Sequence, residues 1–145
     1  MMISVIMPCH NCGPWVKDAL RSIAAQTLTP FEIIVINDHS TDDSVEMIET
    51  SGIDVNLFHT EIGNAAATRN YGAARARGEW LAFLDADDMW LPDHLAIANE
   101  TIDGDVAYYS LHRALRPDGK EYPPPFLPTS IILPRGRLQQ KELCD

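Results

Sequence analysis

Short runs of apolar residues alternate with amphipathic segments along the first two-thirds of the chain. Continuous apolar runs, typical of strands buried on both faces, occupy residues 3–7, 33–36, 55–58, 80–84 and 106–111. Apolar residues at helical spacing predict helices at residues 15–25, 42–48, 64–76 and 92–100. Strands that alternate with helices pair in parallel through right-handed crossovers. The pattern therefore predicts a doubly wound α/β sheet.

The pattern changes in the last quarter of the chain. A turn signal at residues 117–119 is followed by three prolines at 123–125, which exclude both a helix and a central strand there. One more strand is predicted at residues 131–133, and the start of a helix at 138–143. These elements continue the fold, but they no longer follow the strand–helix alternation.

Length and composition are those of one folded domain. The chain has 145 residues, of which 46% are hydrophobic and 22% are charged, and single domains usually run to ~100–200 residues. We therefore expect a single domain over residues 1–145, with an α/β core at 1–113 and the start of a second region at 114–145.

Charge and cysteine content narrow the function classes. The formal net charge of −10 argues against broad, nonspecific binding to nucleic acids. No apolar run approaches the ~20 residues of a membrane span, and the N-terminus lacks the basic region of a secretory signal. Three cysteines are an odd number, so we expect no disulfide framework and a cytoplasmic protein.

The predicted strands end in polar residues that suit a ligand site. Open parallel sheets bind ligands beyond the carboxyl ends of their strands. The residues at those ends are Pro8, Cys9, His10, Asn11, Asn37, Asp38, Asp85, Asp87 and Asp88. Clustered carboxylates repel one another unless a proton, an arginine or a divalent metal lies between them. Oxygen ligands favour Mg²⁺ or Mn²⁺ over Zn²⁺, and a metal held by few carboxylates keeps positions open for phosphate oxygens.

Four segments carry a family resemblance through their order and spacing. They are residues 3–11 (ISVIMPCHN), 31–42 (FEIIVINDHSTD), 67–79 (ATRNYGAARARGE) and 84–88 (LDADD, with an Asp-x-Asp motif). Together they resemble the nucleotide-binding half of the inverting family 2 glycosyltransferases. The resemblance implies the GT-A fold, a Rossmann-like sheet. It makes residues 1–113 the nucleotide-binding core and residues 114–145 the start of the acceptor side.

The resemblance implies a pocket for the nucleotide base and its sugar. Pro8, His10 and Asn11 resemble the Pro-x-aromatic-Asn tip that lines the base pocket, with His10 in place of the usual tyrosine. Asp38 resembles the aspartate that accepts a hydrogen bond from the imide of a pyrimidine base. Arg69 resembles the arginine that reaches the nucleotide.

The Asp-x-Asp motif implies the metal. By resemblance, Asp85 contacts the ribose, and Asp87, together with Asp85, ligates an Mn²⁺ or Mg²⁺ ion that bridges to the diphosphate. The ion would stabilise the departing nucleoside diphosphate. Asp88 either positions the sugar or caps the next helix.

The implied reaction is sugar transfer from a UDP-sugar, or another nucleotide-sugar, to an acceptor hydroxyl in polysaccharide or cell-envelope glycan synthesis. The acceptor would be a glycan or a lipid-linked glycan. Homo-oligomers and peripheral association with the inner face of the membrane are compatible with this role.

The general base is where the resemblance ends. In the family it is a carboxylate beyond an acceptor-side strand and helix, and residues 129–145 resemble the strand and helix just before it. We therefore expect a chain that is truncated before this base, with Asp88 as the first candidate if the base lies within it.

Alternative functions remain open from the sequence. The same fold can serve as a catalytically silent interaction module. The pair Cys9 and Cys12 suggests a thioredoxin-like redox protein, or zinc binding together with His10. A nicotinamide-binding domain is disfavoured because the first turn lacks G-x-G-x-x-G. The histidines add little, and we expect His94 and His112 to be exposed.

Overall fold

The structure is a computed structural model that describes residues 1–103, 108–111 and 128–135. Its strands are β1 (Ile3–Cys9), β2 (Glu32–Asp38), β3 (Asn56–Thr60), β4 (Trp80–Phe83), β5 (Tyr108–Leu111) and β6 (Pro128–Pro134). Its helices are α1 (Val16–Ala24), α2 (Ser44–Glu49), α3 (Ala65–Arg75) and α4 (His94–Thr101). None of these helices reaches the length and apolar character that crossing a bilayer requires.

The described strands form one sheet in the order β3-β2-β1-β4-β6-β5. The four neighbours from β3 to β4 are parallel, and β6 runs antiparallel to both β4 and β5. The predicted α/β, mainly parallel sheet is therefore confirmed. The chain moves from β1 outward to β3 and then returns to the other side of β1 as β4. Parallel pairing sets the carboxyl ends of β1, β2 and β4 side by side. The reversal between β1 and β4 is the point at which ligands bind in such sheets.

The far edge of the sheet differs from simple strand–helix alternation. The strand predicted at 106–111 is β5, and β6, predicted at 131–133, inserts between it and β4. Leu81 of β4 lies opposite Leu133 of β6 in antiparallel register. An antiparallel neighbour needs no helical crossover, which agrees with the proline-rich sequence between β5 and β6. The predicted helix at 138–143 lies outside the described residues, and the division at residue 113 stays a prediction.

Two apolar layers cover the two faces of the sheet. Side chains alternate along each strand, so Val5 and Met7 of β1 face the helices α1 and α4 while Ile6 faces α3. Val5, Ile6 and Met7 are completely buried. The continuous apolar run that predicted β1 therefore reflects burial on both faces.

Gly72 lets α3 lie unusually close to the sheet. A methyl group at this position would come within 2.6 Å of Ile36 Cδ1 and 2.7 Å of Ile6 Cγ2. We expect Gly72→Ala to lower the free energy of unfolding by ~1–3 kcal/mol, because overpacking forces the helix or its neighbours to shift. Urea unfolding will measure this, with Ala74→Gly at an exposed position of the same helix as the reference for helix propensity. An unchanged unfolding midpoint for Gly72→Ala would show that α3 has room to move.

Buried polar contacts fix β4 beside β1 at the amino-terminal ends of the strands, away from the ligand side. Ser4 Oγ donates to Glu32 Oε1 at 2.7 Å and accepts from the Gly78 amide at 2.9 Å. Glu32 also accepts from the backbone and side chain of Arg77. Burial raises the pKa of Glu32, but these hydrogen bonds outweigh it and the net pKa is lowered. The charged carboxylate thus joins β2 to the turn that begins β4, the strand that leads into the Asp-x-Asp motif.

His94 is buried, and the expectation that it is exposed was wrong. Its ring stacks on Trp90 with the centroids 4.6 Å apart, and the residue is only 9% exposed. Burial lowers its pKa to about 4, against a smaller opposing effect of Asp93. His94 begins α4, whose first turn packs into the core, whereas the sequence placed it on a solvent face. His112 lies outside the described residues.

Candidate functional site

A cleft of about 410 Å³ opens at the carboxyl ends of β1, β2 and β4. The structure brings together in its walls all the residues that the sequence predicted for the nucleotide and the metal. They are Pro8, His10, Asn11, Asp38, Arg69, Asp85 and Asp87. Asp88, the candidate base, is not among the lining residues. It lies in the turn after β4, where its amide donates to the Asp85 carbonyl at 3.0 Å.

The Asp38 carboxylate organises the floor of the cleft. Its Oδ1 accepts from Thr60 Oγ1 at 3.0 Å and from the Ile62 amide at 2.6 Å, and its Oδ2 accepts from the Gly63 amide at 2.8 Å. Thr68 Oγ1 lies 3.3 Å from Oδ2 and also donates to the Asn64 carbonyl at 2.8 Å. Both oxygens therefore hold the loop between β3 and α3, and a ligand imide at Asp38 would share an oxygen with one of these donors.

These contacts keep Asp38 charged. Burial alone raises the pKa of its carboxyl, but hydrogen bonds from the Ile62 and Gly63 amides and from His39 and Thr60 lower it more, to about 2. The carboxylate is thus fixed and anionic at neutral pH. It cannot readily donate a proton to a ligand, so its chemistry is limited to accepting hydrogen bonds.

His10 and His39 form one side wall of the cleft. His10 Nδ1 lies 2.7 Å from the carbonyl oxygen of Asp38, and because a carbonyl can only accept, Nδ1 carries the proton. The His10 and His39 rings are tilted by 43° with their centroids 4.5 Å apart. A base entering the cleft would therefore meet an imidazole wall that is pinned to β2 through its backbone.

Asn11 ties the loop after β1 to the loop after β2. Its side-chain Oδ1 accepts from the backbone amides of Thr41 at 2.8 Å and Asp42 at 3.4 Å. Its backbone amide donates to Ser40 Oγ at 3.0 Å. Asn11 adopts a left-handed backbone with φ at 49°, which asparagine tolerates better than most residues. Its side chain is thus committed to loop structure, although it lines the cleft.

Arg69 and Asp85 form a charged pair in the lining of the same cleft. Arg69, on α3, donates from Nη2 to Asp85 Oδ1 at 2.5 Å. The two side chains are 28% and 45% exposed, so solvent screens the pair and its contribution to stability is small. Asp87 is exposed and has no hydrogen bond or ion pair to any residue that the structure describes.

Asp85 and Asp87 suit a hard divalent cation as part of a shared ligand set. Their carboxylate oxygens are the ligands that Mg²⁺ and Mn²⁺ prefer. Within residues 1–103, 108–111 and 128–135, no group of three or more His, Cys, Asp or Glu side chains could hold a metal. A cation bound here would take its other ligands from water or from phosphate oxygens, which is how Mg²⁺ usually binds beside nucleotides.

Cys9 and Cys12 are joined by a disulfide bond, whereas the odd number of cysteines led us to expect no disulfide framework. β1 ends at Cys9, and the chain then turns through His10 and Asn11 so that the two Cα atoms lie 5.7 Å apart. This separation is within the range that a disulfide spans. Neither sulfur contributes to a metal cluster in the described residues, so the zinc alternative has no support there.

Some lining residues were not predicted from the sequence. Trp15, His39, Gly63, Asn64, Ala65, Thr68 and Ala86 also face the cleft. Thr68 and Gly63 belong to it because they bind Asp38, and nothing in the sequence paired them with a residue on another strand. The one available signal was the position of Thr68 beside Arg69 in the segment at 67–79.

Comparison with known families gives a match over almost the whole chain. The sequence profile of glycosyl transferase family 2 matches residues 4–142. An uncharacterized glycosyltransferase of Rickettsia conorii is 40% identical over 97 residues, which is 66% of this chain and 16% of that protein. YibD of Escherichia coli, also an uncharacterized glycosyltransferase, is 41% identical over 93 residues, or 62% of this chain and 27% of YibD. The chain therefore spans less than a third of the length of these two relatives.

Solved structures of two similar proteins also match this chain. The 1–349 fragment of Staphylococcus aureus TarS, crystallised with UDP-GlcNAc, matches with a TM-score of 0.63 and 29% identity over 69% of this chain and 30% of that one. The mannosyltransferase PcManGT of Pyrobaculum calidifontis was solved with GDP-Man and Mn²⁺. It matches with a TM-score of 0.69 and 25% identity, over 80% of this chain and 36% of that one. With its family profile, its relatives and its GT-A fold in agreement, this chain belongs to glycosyl transferase family 2.

Proposed function

We propose that the cleft binds a nucleotide-sugar donor, with a UDP-sugar favoured, together with Mn²⁺ or Mg²⁺. The observation that carries the proposal is the convergence of Asp38, Arg69, Asp85 and Asp87 on one cleft at the switch point of the sheet. Similar proteins are consistent with it, since TarS was crystallised with UDP-GlcNAc and PcManGT with GDP-Man and Mn²⁺. The whole protein would transfer the sugar to an acceptor hydroxyl of a glycan or lipid-linked glycan.

The residues of this chain would divide the work by position. Pro8 and the His10 ring would pack against the base, and Asp38 would hold the loop that closes the cleft floor. Arg69 would neutralise part of the diphosphate charge, as guanidinium groups do for phosphates. Asp85 and Asp87 would hold the cation, which when bound supplies Lewis-acid stabilisation of the leaving diphosphate.

Charge balance explains why the donor should need the metal. Among the lining residues, three aspartates (Asp38, Asp85 and Asp87) face one permanent cation, Arg69. A diphosphate entering this cleft without a metal would be repelled. We therefore expect UDP to bind measurably only when a divalent cation accompanies it.

The first test is thermal unfolding with UDP and Mn²⁺. At ligand near 100 times its dissociation constant, stabilisation should be ~2.7 kcal/mol, equivalent to about 5–10 °C in Tm for a chain of this size. UDP alone and Mn²⁺ alone should each give a much smaller shift. GDP with Mn²⁺ tests the choice of base, and a larger shift with GDP would replace uridine by guanosine in the proposal. No shift with either nucleotide at millimolar concentration would reject the donor site.

Asp87→Asn tests the metal ligand. The substitution keeps the shape of the side chain but removes its charge, so it should abolish the Mn²⁺-dependent part of UDP binding and leave the fold unchanged. Asp93→Asn is the matched control, because Asp93 is an exposed aspartate just before α4 that makes no side-chain capping hydrogen bond. If Asp87→Asn binds UDP with Mn²⁺ as tightly as Asp93→Asn does, Asp87 is not a metal ligand.

A further inference from the structure

The donor site does not use Cys9, the last residue of β1, or Cys12, in the loop between β1 and α1. They flank His10 and Asn11, and all four residues line the cleft. Both cysteines are almost fully buried, at 2% and 4% exposure. A small thiol or disulfide can therefore reach the sulfur atoms only from the cleft.

We propose that Cys9 and Cys12 form a reversible disulfide. Its redox state determines how strongly the conformations of His10 and Asn11, which lie between the two cysteines in the cleft wall, are restricted. The proposal rests on the proposed donor site for its consequence, but not for the loop movement itself. Its co-reactant is a low-molecular-weight thiol–disulfide couple such as glutathione.

The ends of this loop are anchored whether or not the disulfide exists. Cys9 pairs with Asn37 in the sheet, and the Cys12 amide donates to the buried Ser44 Oγ at 2.8 Å. Reduction would therefore keep the sulfur atoms near each other, so the bond can form again. The two residues between them lose their covalent constraint, and these are the residues that contact the loop after β2.

Asn11 is the residue most sensitive to that constraint. Its left-handed backbone, with φ at 49°, is a conformation that asparagine tolerates better than most residues but that still costs more than negative φ. The four-residue disulfide ring restricts it, and the side chain then reaches the amides of Thr41 and Asp42. In the dithiol form Asn11 is free to return to negative φ, which would withdraw its Oδ1 from those amides and loosen the neighbouring His10.

The exchange step is chemically balanced. One cysteine thiolate attacks oxidised glutathione, forming a mixed disulfide and releasing one glutathione thiolate. The second cysteine thiolate attacks the protein sulfur of the mixed disulfide, forming the Cys9–Cys12 bond and releasing the second glutathione. Two protein thiols are oxidised, two glutathione thiols are produced, and the two protons pass to them.

Linkage makes the effect reciprocal. If the disulfide form binds the nucleotide more tightly by some factor, the bound nucleotide must favour the disulfide over the dithiol by the same factor. Ordering one rotamer-rich side chain is typically worth about two- to twelvefold in affinity. We expect UDP with Mn²⁺ to bind the reduced protein about three- to tenfold more weakly, and to make the disulfide about three- to tenfold harder to reduce at equilibrium.

The experiment uses the full chain with Cys144→Ser, because Cys144 lies outside the described residues and would add a third thiol. After equilibration in glutathione buffers, thiol titration should find no reactive thiols in oxidising buffers and two in reducing buffers. Hydrogen exchange of the ligand-free protein should show faster exchange of the Thr41 amide in the reduced form. Isothermal titration with UDP and Mn²⁺ on both forms then gives the affinity ratio. In the added double substitution Cys9→Ser and Cys12→Ser, glutathione should change none of these readouts.

The outcomes separate the two proposals. Two thiols at every glutathione ratio would overturn the redox site, and identical Thr41 exchange in both forms would overturn the loop movement, even if UDP binds. Equal UDP affinity of both forms would overturn its control of the cleft. If Thr41 exchange responds to reduction but neither form binds a nucleotide, the redox-dependent loop stands and the donor proposal fails.

Discussion

Replacing Asp38 with asparagine is expected to lower the free energy of unfolding by ~2–4 kcal/mol. The buried carboxylate accepts several hydrogen bonds, whereas the NH₂ group of an asparagine side chain cannot accept from the same donors. The Ile62 and Gly63 amides approach different oxygens of Asp38, so no orientation of an asparagine amide satisfies both. Nucleotide binding should weaken together with stability, since the loop between β3 and α3 loses its anchor. Urea unfolding of Asp38→Asn will measure the change.

Asp54→Asn is the matched control, because Asp54 is exposed between α2 and β3 and should tolerate the same substitution. A stable Asp38→Asn protein that has lost only UDP affinity would contradict this assignment. It would show that Asp38 contacts the base directly and contributes little to the loop.

Asp38 also predicts how stability depends on pH. Its pKa is about 2 in the folded chain against an ordinary value of 3.8, so the folded state holds the charged form more strongly than the unfolded chain does. The stabilisation, ~2 kcal/mol, is complete above about pH 5 and is lost as the pH falls toward 2, with ~1 kcal/mol already gone at pH 3. The difference in unfolding free energy between wild type and Asp38→Asn should therefore shrink by that amount between pH 6 and pH 3. A difference that is constant across this range would mean that Asp38 is not preferentially charged in the fold.

The parallel part of the sheet could be predicted because its signals are local. β1 and β2 are continuous apolar runs whose side chains are buried on both faces. Asn64, just before α3, caps this helix by accepting from the Ala67 amide. Each element carries its own pattern, and the handedness of crossovers then limits how they assemble. The positions of Asp38, Asp85 and Asp87 at one edge follow from that assembly without any contact being known in advance.

The contacts inside the cleft could not be predicted because they depend on pairings across the fold. Nothing near Asp38 in the sequence shows that Thr60 and Gly63 would saturate its oxygens. The burial of His94 depends on Trp90 packing against it at the start of α4. The approach of Cys9 to Cys12 depends on the pairing of Cys9 with Asn37 and on the hydrogen bond from the Cys12 amide to Ser44. In each case the sequence shows the chemical group, but its neighbours are set by tertiary packing.

Replacing Arg69 is expected to change the affinity for two ligands in opposite directions, for Mn²⁺ alone and for UDP with Mn²⁺. In the free protein its guanidinium lies 2.5 Å from Asp85 Oδ1, where it competes with a cation for that carboxylate. Arg69→Gln should therefore strengthen binding of Mn²⁺ alone, because Asp85 is released. The same change should weaken binding of UDP with Mn²⁺ by ~10–100-fold, because one charge-assisted contact to the diphosphate is lost. Isothermal titration of each ligand measures both constants on one protein.

Arg75→Gln is the control for Arg69→Gln, since Arg75 lies on the same helix but stacks on Tyr71, with its guanidinium carbon 3.4 Å from the ring centroid, and does not line the cleft. It should leave both affinities unchanged. A role for Arg69 that is only structural would weaken both ligands together, because a displaced helix would disturb Asp85 and the nucleotide wall alike. The opposite signs therefore distinguish an arginine that exchanges Asp85 for the diphosphate from one that merely supports α3.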